Sequence, residues 1–439
     1  MKEILVGLIG FGTVGSGLAE VLQVQAARLA KKVDTVIRLK TIADNRLAAL
    51  PERFNDVGFT KNAREIIADP QINIVVELIG GIEPAKTFIL EAIAAGKHVV
   101  TANKALISQH GAEIFAAAAK AGVEIGFEAS VGGGVPVIKA LKEGLVANRI
   151  LSIMGIMNGT ANFILNQMTD HQVPFSEVLK DAQAKGYAEA DPTYDVEGID
   201  TAHKLAILMN IAYGMNVSLA DISIEGITRI DPVDIAFARE FGYRIKLLAI
   251  SRNHGEHVEA RVHPTMVPEN HMLAGISGVY NGFYFTGDMV GNIMLYGLGA
   301  GKMPTGSAVA ADVVDIARNI THNSINRVPS LSFRPEHLTP RRITPIEDLR
   351  CPYYFRMTAV DKPGVLSAIS GILGKNNISI ESVIQKSRGQ KDAVPVVIMT
   401  YEAEERSVRA ALAEIDSLPI CTDKTVKIRI LVDKQDGVK

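Results

Sequence analysis

The chain has 439 residues, 47% hydrophobic and 21% charged, the balance of a soluble globular protein with length for roughly two to four domains. A net charge of -2 gives no reason to expect nucleic acid or an anionic membrane as partner. The two cysteines, Cys351 and Cys421, form no CxxC pair and support neither a zinc knot nor a disulfide framework, so the expected setting is reducing and cytoplasmic.

Ile4–Leu22 follows Lys2 and is rich in apolar residues, as a signal peptide would be. It is broken by Gly7, Gly10, Gly12, Gly15 and Gly17, and it carries Thr13, Ser16 and Glu20, which argues against that reading. No later segment is long and apolar enough to span a bilayer. Ile4–Ile9 predicts a strand and Ser16–Leu29 a helix. Val36–Ala43 and Ile74–Ile79 predict strands, Pro84–Ala95 a helix, His98–Thr101 a strand, Ile114–Ala121 a helix and Val123–Glu128 a strand. Such alternation indicates an α/β region with a doubly wound parallel sheet over residues 1–135.

The glycine-rich VGGGVP (131–136) breaks the alternation. Ile150–Met157 predicts a strand, and Gly198–Tyr213 and Thr305–Asn319 predict helices. Residues 136–320 therefore read as a second, α+β domain. Pro329, Pro335, Pro340, Pro345 and Pro352 mark 321–352 as a linker. From 353 to 439 the signals run strand (Tyr354–Val360), helix (Gly364–Lys375), strand (Ile378–Gln385), strand (Val394–Tyr401), helix (Glu405–Ile415), strand (Thr425–Leu431). This βαββαβ order is the ferredoxin-like arrangement.

Gly10-Phe11-Gly12-Thr13-Val14-Gly15 fits GxGxxG, between a strand and a helix at the start of a βαβ unit. That is the Rossmann-like context in which a helix N-terminus receives a dinucleotide pyrophosphate. After the second strand, Asp44 suits a ribose 2′-hydroxyl and Arg46 a 2′-phosphate. The segment leaves NAD and NADP both open and inclines to NADP or dual use.

Five acids (Glu189, Asp191, Asp195, Glu197, Asp200) fall within twelve positions, directly before a helix that carries Lys204. Like charges at that density are tolerable if several of them hold something cationic, such as a substrate ammonium. Asp200 and Lys204 are four apart and share a helix face with the apolar Ile207, Leu208 and Ile211. The stripe points inward with its polar end at a pocket. Lys104, in VVTANKAL, lies just past a strand, where open α/β sheets place ligands. Two distant cysteines cannot supply a catalytic zinc, and no tyrosine has a lysine four positions on. The lysines are left to move a proton. Desolvation or a neighbouring cation lowers a lysine pKa and lets it exchange protons near neutrality. His98 and His203 read as structural, and Met154, Met157 and Met209 as core.

Nearly the whole chain resembles homoserine dehydrogenase. The pieces that carry the resemblance are GFGTVG (10–15), ELIGG (77–81), GKHVVTANKAL (96–106), FEASVGGGVP (127–136), MNGTANFIL (157–165), GYAEADPTYDVEGIDTAHKLAIL (186–208) and GLGAGKMPTGSAVAADV (297–313). Ala102 stands where many members have proline, a change of loop stiffness rather than chemistry. The last unit resembles an ACT domain with DKPGVL (361–366) as its first strand-to-helix loop. No aspartate kinase region precedes the GxGxxG turn, as expected of the monofunctional form.

The resemblance implies NAD(P)H-dependent, reversible reduction of L-aspartate 4-semialdehyde to L-homoserine, on the route to threonine, methionine and isoleucine. It implies an acid/base pair of Lys204, the proton donor, and Lys104, which orients the substrate. Asp200 would bind substrate or tune Lys204. Glu189 and Asp195 would hold the substrate's amino end, and Asn158, Gly159 and Thr160 would line the pocket. Gly80 and Lys104 join the glycine turn at the cofactor, and the 305–320 helix would complete the nucleotide-binding domain. A structural sodium ion is implied at Glu128, Val131, Gly133 and Val135, mainly through backbone oxygens. The resemblance also implies a homodimer or homotetramer paired through the central catalytic and dimerisation domain. In the ACT domain, L-threonine would act as feedback inhibitor at Asp361, Pro363, Gly364, Val365 and Ile378. Two alternatives stay open: a dehydrogenase for another amino-acid aldehyde, and a non-catalytic NAD(P) and amino-acid sensor.

Overall fold

The short runs near the start of the chain pair as parallel strands; Glu3–Ile9, Ile74–Glu77 and His98–Thr101 are covered on both faces, while Val36–Ala43 alternates exposed and buried positions. In the computed structural model, which describes residues 3–385 and 393–432, six such strands form one sheet. Its order is Gly58–Thr60, Val36–Ala43, Glu3–Ile9, Ile74–Glu77, His98–Thr101, Ile125–Gly126. Every neighbouring pair is parallel. The order reverses between Glu3–Ile9 and Ile74–Glu77, so the loops after those two strands flank the switch point where open sheets bind ligands.

The chain divides into two units. The first holds this sheet and comprises the residues through Gly159, Asp200–Asp221 and Val279–Arg341. The expected helix over Ser16–Leu29 is two helices, Thr13–Val24 and Ala26–Val33, meeting at Gln25. Apolar periodicity runs through such a bend unmarked. The expected Ile114–Ala121 helix begins ten residues earlier, as Lys104–Ala121. Asn103 is the cause: its side-chain oxygen accepts the Leu106 N–H at 3.1 Å and caps the first turn. Val123–Glu128 contributes only Ile125–Gly126 as strand and then enters a 3-10 turn, Glu128–Ser130.

The helix Lys302–Thr321 packs against Thr13–Val24 in the same core as Ile4, Val6 and Leu18. The approach is close enough that a Cβ on Gly17 would lie 2.1 Å from the Lys302 carbonyl oxygen. Three antiparallel strands, Ile150–Ile156, Tyr280–Gly287 and Gly291–Leu298, complete this unit, with Tyr280–Gly287 in the middle.

The second unit comprises Thr160–Ile199, Ile222–Gly278 and the residues from Arg342 on. A long antiparallel hairpin, Tyr243–Asn253 with His257–Pro268, is its centre. The C-terminal strands run in the order Val426–Ile430, Tyr353–Val360, Ala393–Thr400, Ile380–Gln385, the ferredoxin-like arrangement, with helices Val365–Lys375 and Glu405–Asp416. The edge strand Val426–Ile430 then pairs in parallel with His257–Pro268, Thr265 opposite Arg429 and Met266 opposite Ile430. The C-terminal module therefore continues the hairpin as one sheet. Leu349 and Cys351 pack into that module's core. Among the described residues, no helix is long and apolar enough to cross a membrane.

Candidate active site and nucleotide cavity

The glycine turn lies at the switch point. Gly10 has φ +98°, a conformation that favours glycine, and its N–H donates to Ala43 O at 2.8 Å. A Cβ on Gly15 would fall 2.1 Å from the Gly10 oxygen, whereas Gly12 faces open space. The helix Thr13–Val24 starts at Gly12 without a side-chain cap, so the first turn presents N–H groups. Beside this turn is a cavity of about 620 Å³ lined by Gly10, Phe11, Gly12, Asp44, Arg46 and Gly80, among others. Thr13, Val14 and Gly15 are not in its wall; they form the first helical turn behind it. Lys104 is not in the wall either.

Asp44 is more committed than its sequence position suggested. Its carboxylate accepts backbone N–H groups of Phe11 at 2.8 Å, Arg46 at 2.8 Å and Leu47 at 3.2 Å. Burial works to raise its pKa, but these three donors outweigh that and hold the carboxyl below the usual range. Asp44 thus ties the glycine turn to the loop after the second strand. On the other side of the cavity Glu77 does the same for Gly80. It accepts the Ile79 and Gly80 N–H groups at 2.8 and 3.3 Å, and the Thr101 hydroxyl at 2.7 Å.

In the same unit, two helices carry the charged centre. Lys104 is the first residue of Lys104–Ala121, and Asp200 and Lys204 lie on Ile199–Tyr213. The Asp200 side chain is 3% exposed, with Lys104 Nζ 2.7 Å from Oδ1. Lys204 Nζ donates to Oδ2 at 2.8 Å and to the Met157 carbonyl at 2.6 Å. Asn158 Nδ2 donates to Oδ2 at 2.9 Å. Burial works to raise the Asp200 pKa; the two ammonium groups outweigh it and hold the carboxyl far below its ordinary range. Lys104 is 42% exposed and Lys204 only 10%. One anion thus holds two lysines, one open to solvent and one sheltered. Ile207, Leu208 and Ile211, on the same face of the helix, are buried.

Two residues near this centre gave no sequence signal. Asn281 is buried and donates to the same Met157 carbonyl at 3.1 Å. Its place depends on Gly299, where a Cβ would lie 2.2 Å from the Asn281 side chain. The Ser108 hydroxyl is hydrogen-bonded to His203 Nδ1. Asn103, by contrast, had a readable helix-start signature, and it also donates to Gly81 O at 2.6 Å.

The rest of the acidic loop divides. Asp191 accepts the Thr193 N–H and hydroxyl, and Glu197 accepts the Thr228 hydroxyl. Glu189 is exposed, and Asp195 lies half-buried in the short helix Thr193–Val196. Both belong to the second unit, as does Thr160, whose hydroxyl donates to Tyr187 O at 2.5 Å. Asn158 and Gly159 belong to the first.

Glu128 is buried; its carboxylate accepts the Ile138 and Lys139 N–H groups at 2.8 and 2.7 Å, and its backbone oxygen accepts the Val131 N–H at 3.5 Å. Nearby, Gly133 has φ +57°, and a Cβ there would lie 2.2 Å from the Gly299 oxygen. Val131 and Val135 are buried in the same turn. In the second unit, Asp361, Pro363 and Gly364 form the loop before Val365–Lys375, with Gly364 at φ +90°. Val365 and Ile378 are buried beside it. His98 Nδ1 accepts the Glu124 N–H, and burial pushes this histidine down to about 4, as suits a neutral structural group.

A doubly wound sheet with an uncapped glycine turn at its switch point, joined in one unit to a pair of lysines on a buried carboxylate, defines an NAD(P)-dependent oxidoreductase. Residues 10–128 match the NAD-binding domain of homoserine dehydrogenase, 136–314 the homoserine dehydrogenase domain and 353–420 the ACT domain. The homoserine dehydrogenase of Pseudomonas aeruginosa is 45% identical over 434 residues, covering 98% of this chain and 99% of that one. That of Neisseria gonorrhoeae is 44% identical over 426 residues, with 97% and 98% covered. The crystal structure of a homoserine dehydrogenase from Thiobacillus denitrificans superposes with a TM-score of 0.93 at 46% identity, covering 98% of this chain and 99% of that one. The chain belongs to the homoserine dehydrogenase family.

Proposed function

We propose that the protein reversibly reduces L-aspartate 4-semialdehyde to L-homoserine, and that the shared Asp200 carboxylate is the centre of its proton chemistry. A bound nicotinamide supplies the hydride that reaches the aldehyde carbon. The chain itself must deliver a proton to the oxygen and hold an ammonium and a carboxylate. Lys204, sheltered and fixed by Asp200 and Met157 O, gives that proton to the nascent alkoxide. Lys104, the more exposed ammonium, orients the substrate and shares the relay. Asp200 holds both lysines and keeps its own charge throughout. Glu189 and Asp195 receive the amino end, and Asn158, Gly159 and Thr160 line the pocket. The observation that carries this reading is one buried carboxylate dividing its two oxygens between two lysines.

Gly10, Phe11, Gly12, Thr13, Val14, Gly15 and Gly80 hold the dinucleotide, as the uncapped helix start and the cavity beside it support. Asp44 already serves three backbone donors, which leaves Arg46 to answer a 2′-phosphate; NADP is favoured and NAD is also used. The backbone oxygens of Glu128, Val131, Gly133 and Val135 are hard donors in a turn too tight for a side chain at Gly133, which suits a structural sodium ion. Residues 1–135 with the helix near 305–320 bind the nucleotide, 136–320 carry the substrate and dimerise, 321–352 link, and 353–439 regulate. L-threonine is the effector, bound at Asp361, Pro363, Gly364, Val365 and Ile378. The enzyme works in the cytoplasm as a homodimer or homotetramer.

The test is oxidation of NADPH and NADH with L-aspartate 4-semialdehyde, followed by absorbance and repeated with L-threonine. Turnover with NADPH preferred and inhibition by threonine is the expected result. Folded protein that turns over with neither cofactor would sink the substrate assignment. Threonine inhibition that survives unchanged in Asp361→Ala would sink the effector site.

A further inference from the structure

The ion pair at Asp200 is not the only link between the two lysine-bearing helices. One turn on, Ser108 lies four residues past Lys104, and His203 lies three residues past Asp200 and next to Lys204. Spacings of four and three put each second group on the same face as the first. The Ser108 hydroxyl meets His203 Nδ1 there. Two rungs therefore cross between the helices, Lys104 to Asp200 and Ser108 to His203.

The two rungs differ in kind. Ser108 Oγ also donates to the Ala105 carbonyl at 3.1 Å. Across the rung the hydroxyl and Nδ1 divide the roles of donor and acceptor according to the tautomer of the ring. Burial, with the Lys104 charge acting the same way and Asp200 against it, lowers the His203 pKa and favours the neutral imidazole. The ionic rung ends in a flexible lysine stem that is 42% exposed, where water competes for the ammonium. The neutral rung ends in a buried ring with little freedom.

We propose that Ser108 and His203 are a positioning pair for the reaction, fixing the register of the two helices so that Lys104 stays on one Asp200 oxygen while Lys204 keeps the other. Neither residue touches the reacting atoms. The catalytic consequence rests on the roles given above to Lys104 and Lys204; the positioning itself does not. Without the neutral rung the Lys104 ammonium drifts into solvent, and the carboxylate holds one lysine where it held two.

Four single variants and one double test this in the full-length enzyme. Ser108→Ala and His203→Ala each remove the bond. Ser108→Thr keeps a hydroxyl, and the adjoining cavity of about 340 Å³, which Ser108 lines, takes the added methyl. His203→Asn keeps an amide, both donor and acceptor, near the place of Nδ1. Each alanine variant should lower kcat about tenfold with the KM for NADPH unchanged, the scale of one lost hydrogen bond. The double alanine variant should lose no more than either single one, because the pair acts as a unit. Threonine at 108 and asparagine at 203 should restore most of kcat.

A second readout needs no turnover. Competitive acetylation of Lys104, followed by mass spectrometry, should quicken severalfold in the alanine variants and return in the conservative ones. Losses of kcat that add in the double variant, conservative variants no better than alanine, or Lys104 reactivity equal to wild type would overturn the pairing. Wild type that reduces no aldehyde, with Lys104 labelling that still responds, would sink the functional reading and leave the positioning pair standing. Should His203→Ala fail to fold, Ser108→Ala carries the same comparison.

Discussion

Asp200 in the first unit and Glu405 in the second are both buried carboxylates that face several cations. Glu405 receives Arg429 through Nε at 2.9 Å and Nη2 at 2.8 Å, the Tyr353 hydroxyl at 2.8 Å, and the Lys427 ammonium. Arg429 turns its other edge to Glu225 at 2.9 and 2.7 Å. Arg429 is 3% exposed, and its planar fork stays charged at any working pH. Around Asp200 the cations are lysines, one of them open to solvent, and a lysine can give up its proton. The Glu405 cluster adds a second carboxylate, Glu225, and has a lysine of its own, Lys427. What separates a site from a strut is the buried arginine: Glu405 is gripped by a fork that keeps its proton, whereas both cations on Asp200 are lysines that can give theirs up.

Removing one cation from each cluster tests that contrast most strongly. Lys204→Met should lower kcat by roughly 10²–10⁴-fold while the protein stays folded, checked by steady-state rates and circular dichroism. Arg429→Met should instead cost about 3–5 kcal/mol, because it leaves Glu405 buried with too little compensation; urea unfolding of the second unit would measure it. A Lys204 variant that loses stability but keeps its rate would break the comparison.

The pH response sharpens it. Burial works to raise the Glu405 carboxyl, but Arg429 and Lys427 outweigh it and pull the group down to about 2 from an ordinary 4.5. A depressed carboxylate contributes stability that is present above its unfolded pKa and is lost as pH falls towards the folded one. The second unit should therefore weaken between pH 4.5 and about 2, and Glu405→Gln should flatten that slope; thermal melts across the range read it directly. The smallest effect belongs to Arg409, which reaches Glu405 at only 3.4 Å and is 46% exposed. Arg409→Ala should cost at most about 1 kcal/mol, and a larger loss in the same urea titration would mean that exposure is a poor guide in this cluster.

Local order was legible in the residues themselves. Strand–helix alternation and the GFGTVG turn announce a parallel sheet and a nucleotide site because period and glycine placement act over a few positions. Asp200 and Lys204 are partners on one helix for the same reason, since four residues make one turn. The C-terminal βαββαβ order was readable from six short signals.

What the sequence could not determine was which distant groups meet. Lys104 and Asp200 come together only because the Lys104 helix starts ten residues before the expected Ile114–Ala121 span and lies beside the Asp200 helix. Asp44 looked like a ribose ligand and also clamps a loop, because three N–H groups that no motif encodes converge on it. Glu197 took a partner inside the protein, and Asn281 entered the lysine cluster through a gap left by Gly299. Likewise the joining of Val426–Ile430 to His257–Pro268 makes one sheet of two stretches that read as separate domains. Periodicity and turn chemistry are properties of neighbours along the chain, and the sequence alone determined those. Pairing across the fold depends on packing, burial and the competition among many possible partners, and only the tertiary structure decided it.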